Sequence, residues 1–219
     1  IMATIANNLQ LVRNRIQAAC AQTGRPADSV TLLAVSKTFP AVTVRDAFHA
    51  GQRCFGENYV QEALDKIAEL ADLRAQITWH LIGPLQSNKT RVVAEHFDWV
   101  QSVDRLKIAQ RLSEQRPPHL PPLQVCIQVN TSGEDSKSGV TPGEALPLAQ
   151  AVAALPRMQL RGVMALPAPS PDPAVQAGAA HAHALVFQQA ENIRQRVVVA
   201  DLAAEIRHQP LEVARHETD

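Results

Sequence analysis

Thr31–Pro40 reads TLLAVSKTFP. Its first half, Thr31 to Val35, is a short run of β-formers that is apolar on both faces. Such a run suits a strand buried on both sides in a parallel sheet. Ser36 and Lys37 follow, and Pro40 forbids simple continuation of the strand. A lysine at the C-terminal end of a buried parallel strand lies where α/β barrels keep their chemistry, and its amine can attack a carbonyl. The competing reading is a lysine whose stem packs at the strand mouth while its head reaches water.

Outward from this stretch, the chain alternates strand, loop and helix. Ile5, Leu9, Val12, Ile16 and Ala19 recur at helical spacing, so residues 3–23 form an amphipathic helix ahead of the strand. A helix is expected over 42–50, stopped by Gly51. A short strand follows at 53–55, then a helix to about residue 70. The next expected strands are 77–82, 99–103, 123–129 and 160–166. Between them lie helices over about 87–97, capped by Ser87, from Asp104 to before Pro117, capped by Asp104, and over 142–155. No Asn-Gly hairpin signal separates the strands. The pattern means parallel βα units, in a barrel or a doubly wound sheet. Lys37, Asn58, His80, the residues 86–89 and 130–137, and Met164 all fall at or near strand ends. A barrel gathers such residues on one face, so the barrel is favoured.

Composition narrows the function classes. The 219 residues are 46% hydrophobic, enough for a sizeable core in one domain spanning 1–219. Basic and acidic side chains balance at 21 each and no basic run occurs, so no nucleic acid is expected as partner. No apolar run approaches the ~20 residues of a membrane span. Cys20, Cys54 and Cys126 lie far apart, which reads as reduced thiols in a cytoplasmic protein. A monomer is expected.

Each strand-end residue also has a plain structural reading. Asn58, in Phe55-Gly56-Glu57-Asn58-Tyr59, offers donor and acceptor atoms to a ring substituent, or merely satisfies loop backbone. His80 stands among apolar strand residues, where a histidine is commonly a hydrogen-bonded core group. His181 and His183 are spaced two apart, off a common helix face, and no metal site is read. Lys137 could meet an anionic group in the polar segment Asn130–Gly139, or be solvated. No phosphate-binding glycine loop and no serine-hydrolase elbow occurs.

Taken together, VSKT (35–38), FGENYVQE (55–62), WHLIGPLQSNK (79–89), NTSGEDSKSG (130–139) and RGVMALPAP (161–169) carry a family resemblance. In order and approximate spacing the chain resembles the pyridoxal phosphate (PLP) homeostasis proteins, single-domain relatives of the alanine racemase barrel, over about residues 3–170. The resemblance implies a (β/α)8 TIM-type barrel of the alanine racemase N-terminal kind. It implies PLP held through a Schiff base to Lys37, with Asn58, His80 and Met164 lining the cofactor pocket and Tyr59 and Lys137 near it. It further implies a carrier or buffer of PLP in vitamin B6 and amino-acid balance, without turnover, with PLP-dependent apoenzymes as candidate partners. The alternatives are a PLP-dependent racemase and a Schiff-base aldolase-type barrel without PLP. Racemisation needs acid/base groups on both faces of the substrate carbon, and Tyr59 is the sole tyrosine.

The last part of the chain departs from the family pattern. A helix over 173–195 and a strand at 197–199 are expected. Residues 200–219 hold neither the Ser-Met-Gly-Met-Ser-like segment nor the Arg-Ile-Gly-Thr segment that the resemblance implies for the phosphate and pyridine nitrogen. The C-terminal end of the barrel is therefore expected to be altered or incomplete, with weaker PLP retention and no assigned phosphate ligands.

Overall fold

The computed structural model describes residues 4–131 and 138–165, and the backbone of 197–200. Lys137, the helix expected over 173–195 and the segment 201–219 lie outside the described residues. The elements run α1 (Ile5–Gln22), β1 (Thr31–Val35), α2 (Ala41–His49), β2 (Cys54–Glu57), α3 (Val60–Glu69), β3 (Thr78–Leu81), α4 (Thr90–His96), β4 (Trp99–Val103), α5 (Leu106–Gln115), β5 (Leu123–Gln128), α6 (Pro142–Ala153), β6 (Met158–Met164) and β7 (Val197–Ala200). Among these, no helix is long and apolar enough to cross a membrane.

Seven strands form one sheet in the order β6-β5-β4-β3-β2-β1-β7, and every pairing is parallel. Consecutive strands lie side by side with helices between them, the arrangement expected of βα units. Residues 197–200 form the seventh strand in sequence, but they pair with β1, with Leu32 opposite Val198. A strand that joins the outer edge of β1 occupies the position that closes a barrel, whereas a simple seventh strand would pair with β6.

The sheet has two unlike faces. Register places Ala34 beside Phe55 and Phe55 beside Trp79, and these pack with Leu32, Val100 and Val125 into the core shared with the helices. Their neighbours Val35, Gly56, His80 and Trp99 are also in register, and alternation turns them to the opposite face. Trp99, Cys126 and Met164 make a second, smaller buried cluster.

Several boundaries differ from the sequence expectation. β2 runs on to Glu57 instead of ending at Phe55, because the ladder with β3 continues through Glu57 opposite Leu81. Ser87 opens a short 3-10 turn and does not cap a helix; α4 begins at Thr90, whose hydroxyl donates to the Ser87 carbonyl at 2.9 Å. Asp104 lies one residue too early to cap α5; Arg105 holds that position, and the Asp104 carboxylate sits 3.4 Å from the Arg105 guanidinium. β6 starts at Met158, two residues ahead of the expected Leu160, paired from the outset with Leu123. Gly51 does end α2: it follows the cap residue Ala50 with φ +86°, where a side chain would be strained.

Candidate functional site

Lys37 stands one residue beyond the end of β1, after Ser36, and is half-buried. It stands two positions past Val35, and Asn58 two positions past Val35's partner Gly56, so both lie at the C-terminal ends of the neighbouring strands β1 and β2. The loop after β3 fixes Asn58 from above. A side chain at Gly83 would place its Cβ 2.2 Å from the Asn58 carbonyl oxygen and 2.7 Å from its Cα. Only glycine permits that approach, so Gly83 is a part of the site that the sequence showed solely as a strand terminator.

Asn58 Oδ1 is buried and has no hydrogen-bond partner among the described residues. An amide oxygen in that condition costs free energy unless something donates to it. One layer below, His80 is 2% exposed and stacks on Trp99 with ring centroids 5.0 Å apart. Its Nδ1 lies 3.3 Å from Gln101 Nε2, while its Nε2 and the Gln101 Oε1 are unpartnered among the described residues. Burial pushes the imidazole down to about 3, so it is neutral in the folded protein at ordinary pH. Gln101, two residues beyond Trp99 on the same face, carried no signal in the sequence beyond being polar within a strand.

Met164 is 7% exposed and packs with Trp99 and Cys126, closing the wall on the β6 side. Burial pushes the Cys126 thiol up to about 12, which leaves it an inert packing group. Tyr59 is the residue before α3 and is 59% exposed, so it stands at the rim and lines no wall. The structure thus puts His80 and Met164 on one face of the sheet, each against Trp99, sets Lys37 and Asn58 just past the ends of β1 and β2, and leaves Tyr59 exposed. A separate hollow on the helix side of β1, lined by Ile5, Ala34, Phe39 and Phe55 among others, holds no titratable side chain.

The largest omission from the sequence reading is a buried charged cluster beside Lys37. Lys66 Nζ donates to the Ser36 carbonyl at 2.7 Å, to both Glu57 oxygens at 2.9 and 3.1 Å, and to Glu62 Oε1 at 2.6 Å. Ser36 Oγ donates to Glu57 Oε1 at 2.6 Å, and the Thr38 N–H donates to Glu62 Oε1 at 2.6 Å. Glu57 is fully buried and Lys66 nearly so. Burial raises the Glu57 carboxyl, opposed by its bonds to Ser36 and Lys66. Burial also works against ionised Glu62, but the bonds from Lys66 and Thr38 together hold it below its ordinary value. A signal was present: Lys66 falls on the stripe of Ala63 and Ile67, the buried side of α3. A lysine there must be paired.

Known proteins fit this picture. The family model described as alanine racemase, N-terminal domain, matches residues 3–210. The chain is 62% identical over 175 residues to the pyridoxal phosphate homeostasis protein of Pseudomonas aeruginosa, covering 80% of this chain and 75% of that one. Against the protein of the same name from Escherichia coli it is 54% identical over 187 residues, covering 85% and 80%. Among solved structures, PipY of Synechococcus elongatus with PLP bound superposes with a TM-score of 0.70 at 38% identity, covering 89% of this chain and 87% of that one. The alanine racemase of Corynebacterium glutamicum, at 18% identity and a TM-score of 0.59 over 87% of this chain and 52% of that one, shares the fold.

Proposed function

The chain belongs to the pyridoxal phosphate homeostasis proteins, and from that premise we propose that it holds PLP covalently on Lys37 as a carrier or buffer, without turnover. What supports this reading is that Lys37 and Asn58 stand at the same end of neighbouring strands, two positions past the paired Val35 and Gly56, and that Asn58 Oδ1 is a buried acceptor unpartnered among the described residues. These residues fit the group. PLP supplies an aldehyde, an aromatic ring and polar substituents, which call for an amine, a wall and hydrogen-bonding groups. Lys37 would hold the group through its amine, whose bond to the aldehyde carbon would release water. Asn58 Oδ1 would offer an acceptor to a hydroxyl or a protonated nitrogen, and His80, Trp99 and Met164 would lie beneath the ring.

The same residues argue against racemase chemistry. A second acid/base group must face Lys37 across the substrate. His80 is neutral and resists protonation down to about pH 3, and Tyr59 stands exposed beside the pocket. Release of PLP to apoenzymes, a cytoplasmic location and a monomeric state are parts of this proposal. The dispersed cysteines support the location, and transfer to apoenzymes is supported by the family to which the chain belongs.

Titration of the purified protein with PLP tests the reading. The expected result is an imine absorption band that saturates near one equivalent. A folded protein that gives no more imine than a mixture of free lysine and PLP overturns it.

A further inference from the structure

Lys37 is flanked by two residues whose backbones are tied to a single buried ammonium. Its predecessor, Ser36, presents its carbonyl to Lys66 Nζ at 2.7 Å. Its successor, Thr38, donates its N–H to Glu62 Oε1, and that same oxygen accepts from Lys66. Glu57 completes the arrangement by accepting from both Lys66 and the Ser36 hydroxyl. Thr38 has φ +67°, the left-handed region that a β-branched residue rarely adopts, and an outside restraint is needed to keep it there.

We propose that Lys66, acting through Glu57 and Glu62, is a positioning residue for Lys37: the three hold the peptide groups before and after it, and so aim the reactive amine. The inference rests on the reading of Lys37 as the PLP lysine. A pairing needed only to dock α3 would be met by Lys66 and Glu57 alone. Glu62 is 32% exposed and could be solvated, yet it is bound to the Thr38 N–H, next to Lys37. Fixing both neighbours reduces the orientations open to the amine, which is the form of rate control that positioning supplies.

The test uses the full chain with Glu62→Ala, Glu62→Gln, Lys66→Met and Lys66→Arg. Imine formation with PLP is followed by stopped-flow absorbance across pH, beside circular dichroism and amide exchange at Thr38. Glu62→Ala is expected to keep the fold, lose Thr38 protection and form the Lys37 imine about tenfold more slowly. Glu62→Gln, which keeps an acceptor for the Thr38 N–H, is expected to recover part of that rate. Lys66→Arg is expected to outperform Lys66→Met, which leaves Glu57 buried without its cation. If wild type forms the imine and folded Glu62→Ala matches it within twofold, the positioning role is overturned alone. If wild type forms none, the cofactor reading fails and this inference falls with it.

Discussion

At the N-terminal ends of the strands, guanidinium groups meet the carbonyls left over at helix C-termini. Arg13 donates to the Ala50 carbonyl at 3.0 Å, and Arg53 to that of Phe48 at 2.7 Å. Arg74 reaches the His96 carbonyl and the Asp98 carboxylate, which in turn accepts the N–H of Trp79, the second residue of β3. Arg116 donates to the carbonyls of Ala94, Phe97 and Pro121, and Arg157 to that of Ser113. Cations at helix C-termini also oppose the helix dipole. The C-terminal ends differ: there Asn58 Oδ1 has no partner among the described residues, Thr38 is left-handed, and a loop glycine presses on the Asn58 backbone. One end pairs its guanidinium groups with helix carbonyls, while the other combines a paired Glu57–Lys66–Glu62 cluster with an open acceptor on Asn58, at the end where α/β barrels keep their sites.

The comparison breaks most visibly at Arg116. Replacing it by methionine strands three carbonyls that now receive a charged donor, and should cost roughly 3–5 kcal/mol in a denaturant titration. PLP affinity, measured where the variant remains folded, should stay within about twofold of wild type. A large loss of affinity with little loss of stability would erase the distinction between the two ends.

Gly83→Ala probes the opposite end. The new methyl group cannot coexist with the Asn58 backbone, so the loop or Asn58 must shift, at a cost of about 1–3 kcal/mol. Here the binding effect should dominate, with PLP dissociating at about tenfold higher concentration in equilibrium dialysis. Unchanged affinity would show that the Asn58 position does not matter to the cofactor.

At neutral pH the smallest effect is that of His80, because it develops only on acidification. Burial pushes His80 from 6.5 down to about 3, so on acidification the unfolded chain takes up this proton first. Stability linked to His80 is whole above pH 6.5 and is lost as pH falls from there towards about 3, at up to about 1.4 kcal/mol per pH unit. His80→Phe removes the titrating group, and its stability should depend less on pH across that window. Parallel curves for the two proteins would contradict the buried, neutral imidazole.

Much of this asymmetry was legible in the sequence. Strand periodicity and the breakers Pro40, Gly51 and Gly83 placed Lys37, Asn58 and His80 at or near strand ends, because a two-residue period fixes which face each meets. The caps were not legible: Ser87 and Asp104 have the right side chains, but a 3-10 turn and an ion pair took them. The Glu57–Lys66–Glu62 cluster was hidden because its members are charged. Charge normally signals solvent, and only the helical stripe through Ala63 and Ile67 showed that Lys66 turns inward. The pairing of 197–200 with β1 depends on a long-range closure that local pattern does not encode.

PLP carried on one lysine at the C-terminal ends of the strands is the proposal on which the rest depends. Borohydride reduction of the PLP-treated protein, followed by peptide mass mapping, reads it directly. A pyridoxyl-phosphate adduct is expected on the peptide containing Lys37 at near-full occupancy, absent from that peptide in Lys37→Ala. Label spread over surface lysines, with the Lys37 peptide unmodified in a folded protein, would contradict it.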